Sequence, residues 1–260
     1  MKARSAFSIQ RDVIFAIFVR EMITRFSNYT LGNIWLVLEP LLMMVLFIAL
    51  FGARGRGAYG FVEAPVFIFA AFLPFRMLWT ATMRQSASAR GATKGLLAYR
   101  QVRLFDVFMA RTFIEGGLFV IIGVILGLGM MWLGYDPWPD DILLTLFYCS
   151  ILWLFAASFG MLACMVGSVA REIEKLVSML TMPLMFLSAV FFPMSIVPEQ
   201  YWVYLTWNPI LHAMELIREG WMDNYTSPVA DFNYLVAAML ICLAFAMSSY
   251  RLSWRRIVAL

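Results

Sequence analysis

The fold is decided by one long apolar stretch, ILLTLFYCSILWLFAASFGMLACMVGSV (Ile142–Val169), which contains no charged residue. As a helix it would rise ~40 Å, and ~20 apolar residues suffice to cross the ~30 Å hydrocarbon core of a bilayer. Over the whole chain 63% of the residues are hydrophobic and 14% are charged. Soluble domains are about half apolar and a quarter charged. The sequence therefore predicts an all-α membrane protein.

Other apolar stretches surround this one, and together they predict six transmembrane helices. They are Leu31–Phe51, Pro65–Met83, Val107–Leu133, Leu176–Phe192 and Phe232–Tyr250. The segment Ala170–Lys175 is too polar for the middle of a membrane, so we expect a tight turn there between spans four and five.

The distribution of Lys and Arg predicts the orientation. The segment before span one, the connections between spans two and three and between spans four and five, and the segment after span six hold 16 of the 20 basic residues. Cytoplasmic loops are enriched in Lys and Arg. This alternation requires an even number of spans, with both termini in the cytoplasm. The net charge of +4 is too small to suggest nucleic-acid binding.

Residues 1–30 do not read as a span. The apolar core Val13–Val19 is short, has basic residues on both sides and lacks a small-residue cleavage site after it. We therefore expect a retained helix that lies in the cytoplasmic interface. Residues 31–260 would form the transmembrane domain.

Two connections are too unusual to be simple turns. Residues 84–106 are basic and rich in small residues, which fits either a solvated loop or a docking helix for a cytosolic partner. Residues 193–231 contain prolines, aromatic residues and two short apolar segments, Ile196–Trp207 and Ile210–Met222. Asn208 and Pro209 are typical of a helix start. Short helices that enter the membrane and return fit this pattern, provided that protein or a water-filled cavity surrounds them.

Enzyme signatures are absent from the sequence, so we expect no catalytic and no metal site. The chain has no phosphate-binding loop of the G-x-x-x-x-G-K-[ST] type, and its single histidine excludes a zinc site built from several histidines. His212, Glu215 and Glu219 share one helix face, which favours a polar face towards a cavity or the periplasm over a metal or acid–base site.

Ionisable residues inside spans are costly and indicate pairing or function. Glu39 and Arg76 are the candidates, and Arg76 needs a partner from another helix, a second subunit or a substrate anion. Arg111 and Glu115 are spaced i, i+4 and are expected to pair locally. The aromatic cluster Tyr201–Trp207 is the best candidate for stacking on sugar rings, although ordinary interface belts also use Trp and Tyr.

Several motifs, in order along nearly the whole chain, resemble the permease subunit of bacterial capsule polysaccharide exporters of the ABC-2 type. Trp35–Pro40 gives the element Trp-x-x-x-Glu-Pro, and Trp207–His212 gives Trp-Asn-Pro-x-x-His. The segments Arg20–Phe26, Gly95–Arg103 and Phe191–Pro198 extend the match. Arg76 departs from the family pattern, which has an aromatic or apolar residue there, and this departure suggests a role for a particular substrate.

The resemblance implies a homodimer with two copies of a cytosolic ATPase subunit, which would bind ATP and Mg²⁺. The chain itself would bind no cofactor. The cargo would be a lipid-linked anionic polysaccharide, crossing the bacterial inner membrane towards periplasmic co-polymerase and outer-membrane export proteins. The residues expected to gate lipid head-group entry are Arg4, Arg20, Arg25, Trp35 and Glu39. The residues expected along the channel or re-entrant loop are Arg76, Tyr201, Trp202, Trp207, His212, Glu215 and Arg218. The residues expected to couple to the ATPase are Arg84, Arg90, Lys94, Leu97, Tyr99 and Arg100.

Three alternatives stay open from the sequence. An O-antigen or teichoic-acid exporter permease would share these features. A stand-alone secondary transporter would be expected to have internal repeats or more ionisable residues at mid-membrane. An intramembrane glycosyl transferase or ligase would need a carboxylate or metal constellation, for which only the face around His212 is available.

Overall fold

The computed structural model describes residues 6–27, 32–52, 63–92, 102–167 and 172–258, and within these ranges the regular elements are all helical. The α-helices are α1 (Ala6–Ser27), α2 (Gly32–Phe47), α3 (Ala64–Leu73), α4 (Thr82–Ala87), α5 (Ala89–Ala92), α6 (Leu104–Trp132), α7 (Ile142–Gly167), α8 (Glu172–Leu187), α9 (Trp202–Leu205), α10 (Pro209–Trp221) and α11 (Phe232–Val258). Two π-helical stretches, Ile48–Gly52 and Pro74–Ala81, extend α2 and join α3 to α4. Two 3₁₀ turns, Met194–Ile196 and Glu199–Tyr201, precede α9. The all-α prediction is confirmed.

Five helices in the described ranges are long and apolar enough to cross a membrane. They are Ile34–Phe51, Ala64–Ala87, Leu104–Trp132, Ile142–Gly167 and Phe232–Ser253. The second is the centre of the bundle, with 89% of its most apolar window buried, whereas the first and the last bury only 17% of theirs. The first and last spans therefore leave most of their apolar surface open for lipid or another protein to cover, and α6 and α8 also carry exposed apolar side chains.

The predicted fifth span is shorter than the sequence suggested. Its apolar helix, Lys175–Leu187, rises only ~20 Å, because α8 ends at Leu187 in a tight reversal. The N–H of Val190 donates to the carbonyl of Met185 and that of Ala189 to Phe186, while Ala189 adopts a positive φ of 52°. This left-handed turn closes the helix. At its other end α8 begins at Glu172, so four of the six residues of the predicted turn Ala170–Lys175 are helical instead.

Helix α1 is longer than its seven-residue apolar core suggested. Its 22 residues rise ~33 Å. It packs along α6 in the same direction, because Gln10, Glu21 and Arg25 contact Asp106, Arg111 and Glu115 in that order. Its outer face keeps large apolar side chains exposed at Phe15, Val19 and Ile23. Helix α1 therefore has one face bound to the bundle and one face suited to lipid.

The segment between α8 and α11 forms one true helix where two were predicted. Helix α10 begins as expected, with Pro209 at its first position and the Asn208 side chain accepting a hydrogen bond from the Ile210 N–H at 3.1 Å. The prediction of a continuous helix over Ile196–Trp207 is wrong. The segment consists of two 3₁₀ turns and the single turn α9, since Pro198 lacks an N–H and disrupts a continuous helix.

Helices α4 and α7 approach each other unusually closely. A Cβ atom at Gly160 in α7 would lie 2.6 Å from the Met83 carbonyl oxygen and 2.6 Å from the Ser86 Cβ. Only glycine allows this backbone contact. The contact fixes the C-terminal end of the second span against α7.

Candidate functional site

A cavity of about 210 Å³ opens between α2, the second span and α8. We call it the Arg76 cavity and define its polar lining as Glu39, Arg76, Thr80, Arg84, Ser178 and Thr181. The rest of the lining is apolar and consists of Met43, Phe47, Phe72, Phe75, Met182 and Met185. The cavity is far larger than the ~10–15 Å³ that one water molecule requires.

The partner of Arg76 is Glu39, from another helix, which is one of the three sources that the sequence left open. The two side chains form a partly exposed ion pair across the cavity. Arg84 lines the same cavity and donates to the Ser178 hydroxyl on α8 at 2.9 Å. Two guanidinium groups and one carboxylate leave the polar lining with a net charge of +1. The structure thus brings together three residues that the sequence assigned to the gate, the channel and the coupling segment.

A second constellation joins α1 to α6. Arg25 donates to Glu115 at 2.6 Å, and Arg111 donates to both oxygens of Glu21 at 3.1 and 3.2 Å. The expected local pair between Arg111 and Glu115 is therefore wrong, because each residue pairs with α1 instead. The missed partner was Glu21. The signal in the sequence was the i, i+4 spacing of Glu21 and Arg25, which matches that of Arg111 and Glu115 with the opposite order of charges.

Arg111 also reaches the end of the second span. Its guanidinium donates to the Gln85 carbonyl at 2.8 Å and to the Ser88 hydroxyl at 3.2 Å. Ser88 is the junction between α4 and α5. One buried arginine thus ties the N-terminal helix to the beginning of the predicted coupling segment.

A buried polar cluster secures α10, and we call it the Arg218 cluster. The side chains of Glu215 and Arg218 are 0% exposed and lie 2.7 Å apart. Arg218 also donates to the carbonyls of Ala189 and Val190 at 2.6 and 2.7 Å, and its guanidinium lies 4.1 Å from the centre of the Phe67 ring. The cation therefore holds the strained turn after α8 against α10 and α3.

Glu215 has its own donors within the Arg218 cluster. The hydroxyls of Tyr225 and Ser227 each donate to its second oxygen at 2.7 Å. Burial, reinforced by the charge of Glu215, raises the pKa of Tyr225 above its usual value, so this phenol keeps the proton that it donates. The carboxylate is satisfied on both oxygens, as a buried charge requires.

His212 braces two loops. Its Nδ1 accepts the Asp231 N–H at 3.0 Å, which places the ring proton on Nε2, and Nε2 lies 2.7 Å from the Thr206 carbonyl. Both ring nitrogens are occupied by the backbone. This arrangement accounts for the polar face of α10 by structural contacts and leaves neither nitrogen open for a metal or for acid–base chemistry.

The predicted aromatic cluster separates into exposed and packed rings. Tyr201 and Trp207 are 51% and 65% exposed, so their faces are open for contact. Trp202 is half-buried, and its indole N–H donates to the Val197 carbonyl at 2.8 Å. The structure places Trp202 as a support for the loop.

The remaining predicted site residues divide between the surface and the undescribed segments. Arg20, Trp35 and Arg84 are exposed, and Arg90 is half-buried in α5. The residues that lie outside the described ranges are Arg4, Lys94, Leu97, Tyr99 and Arg100. The roles assigned to all of these residues stay predictions.

Comparison with known proteins supplies the family. The ABC-2 type transporter domain matches residues 12–222. The polysialic acid transport protein KpsM of Escherichia coli is 32% identical and aligns over 96% of both chains. The capsule polysaccharide export inner-membrane proteins CtrC of Neisseria meningitidis serogroup B and BexB of Haemophilus influenzae are 26% and 25% identical. They cover 93% and 92% of this chain and 91% and 90% of their own.

The family match spans the described helices from α1 to α10, and the relatives extend the similarity over nearly the whole chain. The family match includes the lining of the Arg76 cavity, the ion pairs between α1 and α6, and Glu215 with Arg218. This chain therefore belongs to the ABC-2 type transporter family.

Proposed function

We propose that the chain is the permease subunit of an ABC exporter that carries a lipid-linked capsular polysaccharide across the bacterial inner membrane. The observation that supports this most is the similarity over 96% of both chains to a polysialic acid transport protein, accompanied by two capsule export inner-membrane proteins. The chain works as a homodimer with two copies of a cytosolic ATPase. ATP and Mg²⁺ bind to that partner, in agreement with the lack of a phosphate loop here.

The membrane arrangement in this proposal has six spans, with both termini in the cytoplasm. Helix α8 is the short span, and residues 193–231 form a re-entrant region on the periplasmic side. The support is twofold. The basic segments alternate only for an even number of spans, and the turn that ends α8 is buried within the bundle instead of emerging at its surface.

The coupling segment in this proposal is residues 84–106, starting with α4 and α5. Helix α1 is the gate at which the lipid head group enters, with exposed Arg20 and Trp35 near the approach. The ion pairs from α1 to Arg111, and from Arg111 to the α4–α5 junction, support a mechanical link between the two. ATP-driven motion of the coupling segment would then be transmitted to α1 through the side chain of Arg111.

The decisive experiment is co-purification with a candidate ATPase, followed by ATP turnover with and without lipid-linked glycan. We expect a stable complex whose turnover rises with glycan. Charge reversal at Arg90 and Arg100 together should release the ATPase, whereas Arg251→Glu, an exposed cation on α11, should not. Glycan transport by the purified chain in liposomes without any ATPase would contradict the proposal and favour a secondary transporter.

A further inference from the structure

One hydrogen-bonding group that lines the Arg76 cavity has no partner among the described residues. Thr80 is buried and lines the cavity, yet among the described residues its hydroxyl has no hydrogen-bond partner. A helical threonine usually turns its hydroxyl to a carbonyl one turn back. An unpaired buried hydroxyl costs ~1–3 kcal/mol. The Thr80 side chain therefore lines the cavity with a hydroxyl that nothing in the described part of this chain receives. Its Oγ1 is enclosed, so a rotation about χ1 brings the donor to a ligand in the cavity.

The backbone around Thr80 is also unusual. Arg76 and Thr80 both lie in the π-helical stretch Pro74–Ala81, and π-helical turns occur frequently at functional sites. Arg76, Thr80 and Arg84, which lies in α4, follow at steps of four residues, and all three line the cavity. On the facing helices, Glu39 and Ser178 line the same cavity.

The charge of the cavity selects the ligand. Its polar lining carries a net charge of +1, and the carboxylate of Glu39 already occupies Arg76. In this structure the cavity therefore already holds one carboxylate, that of Glu39, bound to Arg76. Ser178 accepts from Arg84 at 2.9 Å, which leaves its own hydroxyl proton to donate. A second carboxylate would find two guanidinium groups and two hydroxyl donors.

We propose that the Arg76 cavity binds the carboxylate of an acidic sugar in the transported glycan. The sugar carboxylate displaces Glu39 from Arg76 and takes donors from Thr80 and Arg84. Glu39 then pairs again with Arg76 when the sugar moves on. This identification of a substrate class rests on the proposed function. Because one ion pair is exchanged for another, the net affinity is low, as a polymer that must keep moving requires.

A cysteine reporter tests the charge of the cavity. Met182 lines the cavity and is 53% exposed, whereas Cys149, Cys164 and Cys242 are buried. In the full chain with Met182→Cys, held in lipid nanodiscs, we expect a sulfonate-bearing methanethiosulfonate to react at least about threefold faster than a trimethylammonium-bearing one, after correction for free cysteine. Arg76→Gln should remove this preference, Glu39→Gln should increase it, and Arg251→Gln should leave it unchanged.

Protection from labelling tests the ligand. A hexameric uronic-acid oligosaccharide should slow the labelling of the thiol introduced by Met182→Cys, and the same oligosaccharide with its carboxyls reduced to alcohols should not. Glu39→Gln should lower the half-protecting concentration several-fold, because the competing carboxylate is gone, and Arg76→Gln should raise it several-fold. An ion pair with only a structural role would make both variants weaker in parallel, and that result overturns the proposal.

Two further outcomes also decide against it. Protection by glycerol phosphate but not by the uronic-acid oligosaccharide would assign the cavity to a phosphate and overturn the sugar assignment. Equal protection by acidic and reduced oligosaccharides would show that the carboxylate is not recognised. These measurements need neither ATP nor the ATPase. Failure of the cavity proposal is therefore distinguishable from failure of the exporter proposal, which depends on ATPase co-purification.

Discussion

Arg218 places a full positive charge inside an apolar helix bundle. Such a group is tolerated only when it is paired and hydrogen-bonded. Glu215 neutralises it, and the carbonyls of Ala189 and Val190 accept further hydrogen bonds from it. Ala189 adopts left-handed backbone, which costs a non-glycine residue ~1–2 kcal/mol. The arginine therefore compensates for local strain at the end of α8 while joining three helices.

We expect Arg218→Met to destabilise the protein by ~3–5 kcal/mol, because it leaves the carboxylate of Glu215 buried without its counter-ion. Arg218→Lys should also destabilise, since a lysine cannot reproduce the planar fork. The measurement is thermal unfolding in detergent, monitored by the reaction of a thiol-specific dye with the cysteines, which are buried in the folded protein.

The double variant Glu215→Gln/Arg218→Met serves as the internal check. It should be less destabilised than Arg218→Met alone, because the isolated charge is removed. Arg251→Met controls for the loss of an exposed arginine. Unfolding of Arg218→Met at the wild-type temperature would contradict the assigned role.

Individual residues were predictable from the sequence to different degrees. The cap formed by Asn208 and Pro209 depends on neighbouring residues alone, and it is confirmed. The need of Arg76 for a partner on another element followed from the cost of a charge in a span, but Glu39 could not be chosen because that choice depends on helix packing. The predicted pair of Arg111 and Glu115 is wrong because both residues pair with α1, and the i, i+4 spacing carries no information about a helix 90 residues away.

Helix α1 is held to α6 by matched charges and by apolar packing. Arg25 and Glu21 face Glu115 and Arg111, and the apolar side chains of Ile17, Val107 and Ala110 pack within the same cluster. Hydrogen bonds to charged groups are worth ~1.5–3 kcal/mol each. The position of α1 therefore depends on the register of these pairs.

We expect Arg25→Gln to increase amide hydrogen exchange in α1 about tenfold, corresponding to a loss of ~1.4 kcal/mol of docking free energy. The reason is that Glu115, which is buried, loses its donor. Exchange would be followed by mass spectrometry on peptides from residues 6–27. The charge swap Arg25→Glu/Glu115→Arg should recover much of the protection, and Arg11→Gln, an exposed residue on the same helix, should leave it unchanged. Equal exchange in all variants would rule out docking by charge.

The contact of α4 with α7 leads to a prediction for coupling. Gly160→Ala should push the two helices apart, because the new Cβ would meet the Met83 carbonyl. Overpacking of this kind costs ~1–3 kcal/mol. Since α4 leads into the proposed docking segment, we also expect glycan-stimulated ATP turnover to fall while ATPase binding persists.

The matched control is Gly117→Ala, because a Cβ at Gly117 in α6 meets nothing within 4 Å. That substitution should be neutral or slightly stabilising in a helix. If Gly160→Ala and Gly117→Ala unfolded at the same temperature and coupled equally well, the close packing would be unimportant.

At the scale of the whole molecule, the number of crossings decides the topology. Six spans place both termini on one side, whereas five would place them on opposite sides. We expect fluorescent-protein fusions at both ends to fold in the cytoplasm, and alkaline phosphatase fusions at both ends to be inactive. Active phosphatase at one end only would show that α8 does not cross.

The features of the fold that depend on hydropathy alone were predictable from the sequence. Five spans follow from long apolar stretches, and the structure has them. The length of α8 was not predictable, because its apolar stretch continues through Phe191 and Phe192 into a turn that Arg218 stabilises from another helix. The Arg76 cavity was not predictable either. It depends on a π-helical stretch and on three helices distant in sequence, and hydropathy carries no information about either.

The pairing of α1 with α6 also sets an order of events during biosynthesis. Glu21 is separated from Arg111 by 90 residues, so at ~5–20 residues per second the ribosome supplies the partner roughly 5–18 s later. In that interval the i, i+4 spacing of Glu21 and Arg25 lets the two residues neutralise each other on α1. The same i, i+4 spacing thus keeps Glu21 and Arg25 paired with each other until α6 has been synthesised. Helix α1 therefore cannot reach its final place before α6 has been made.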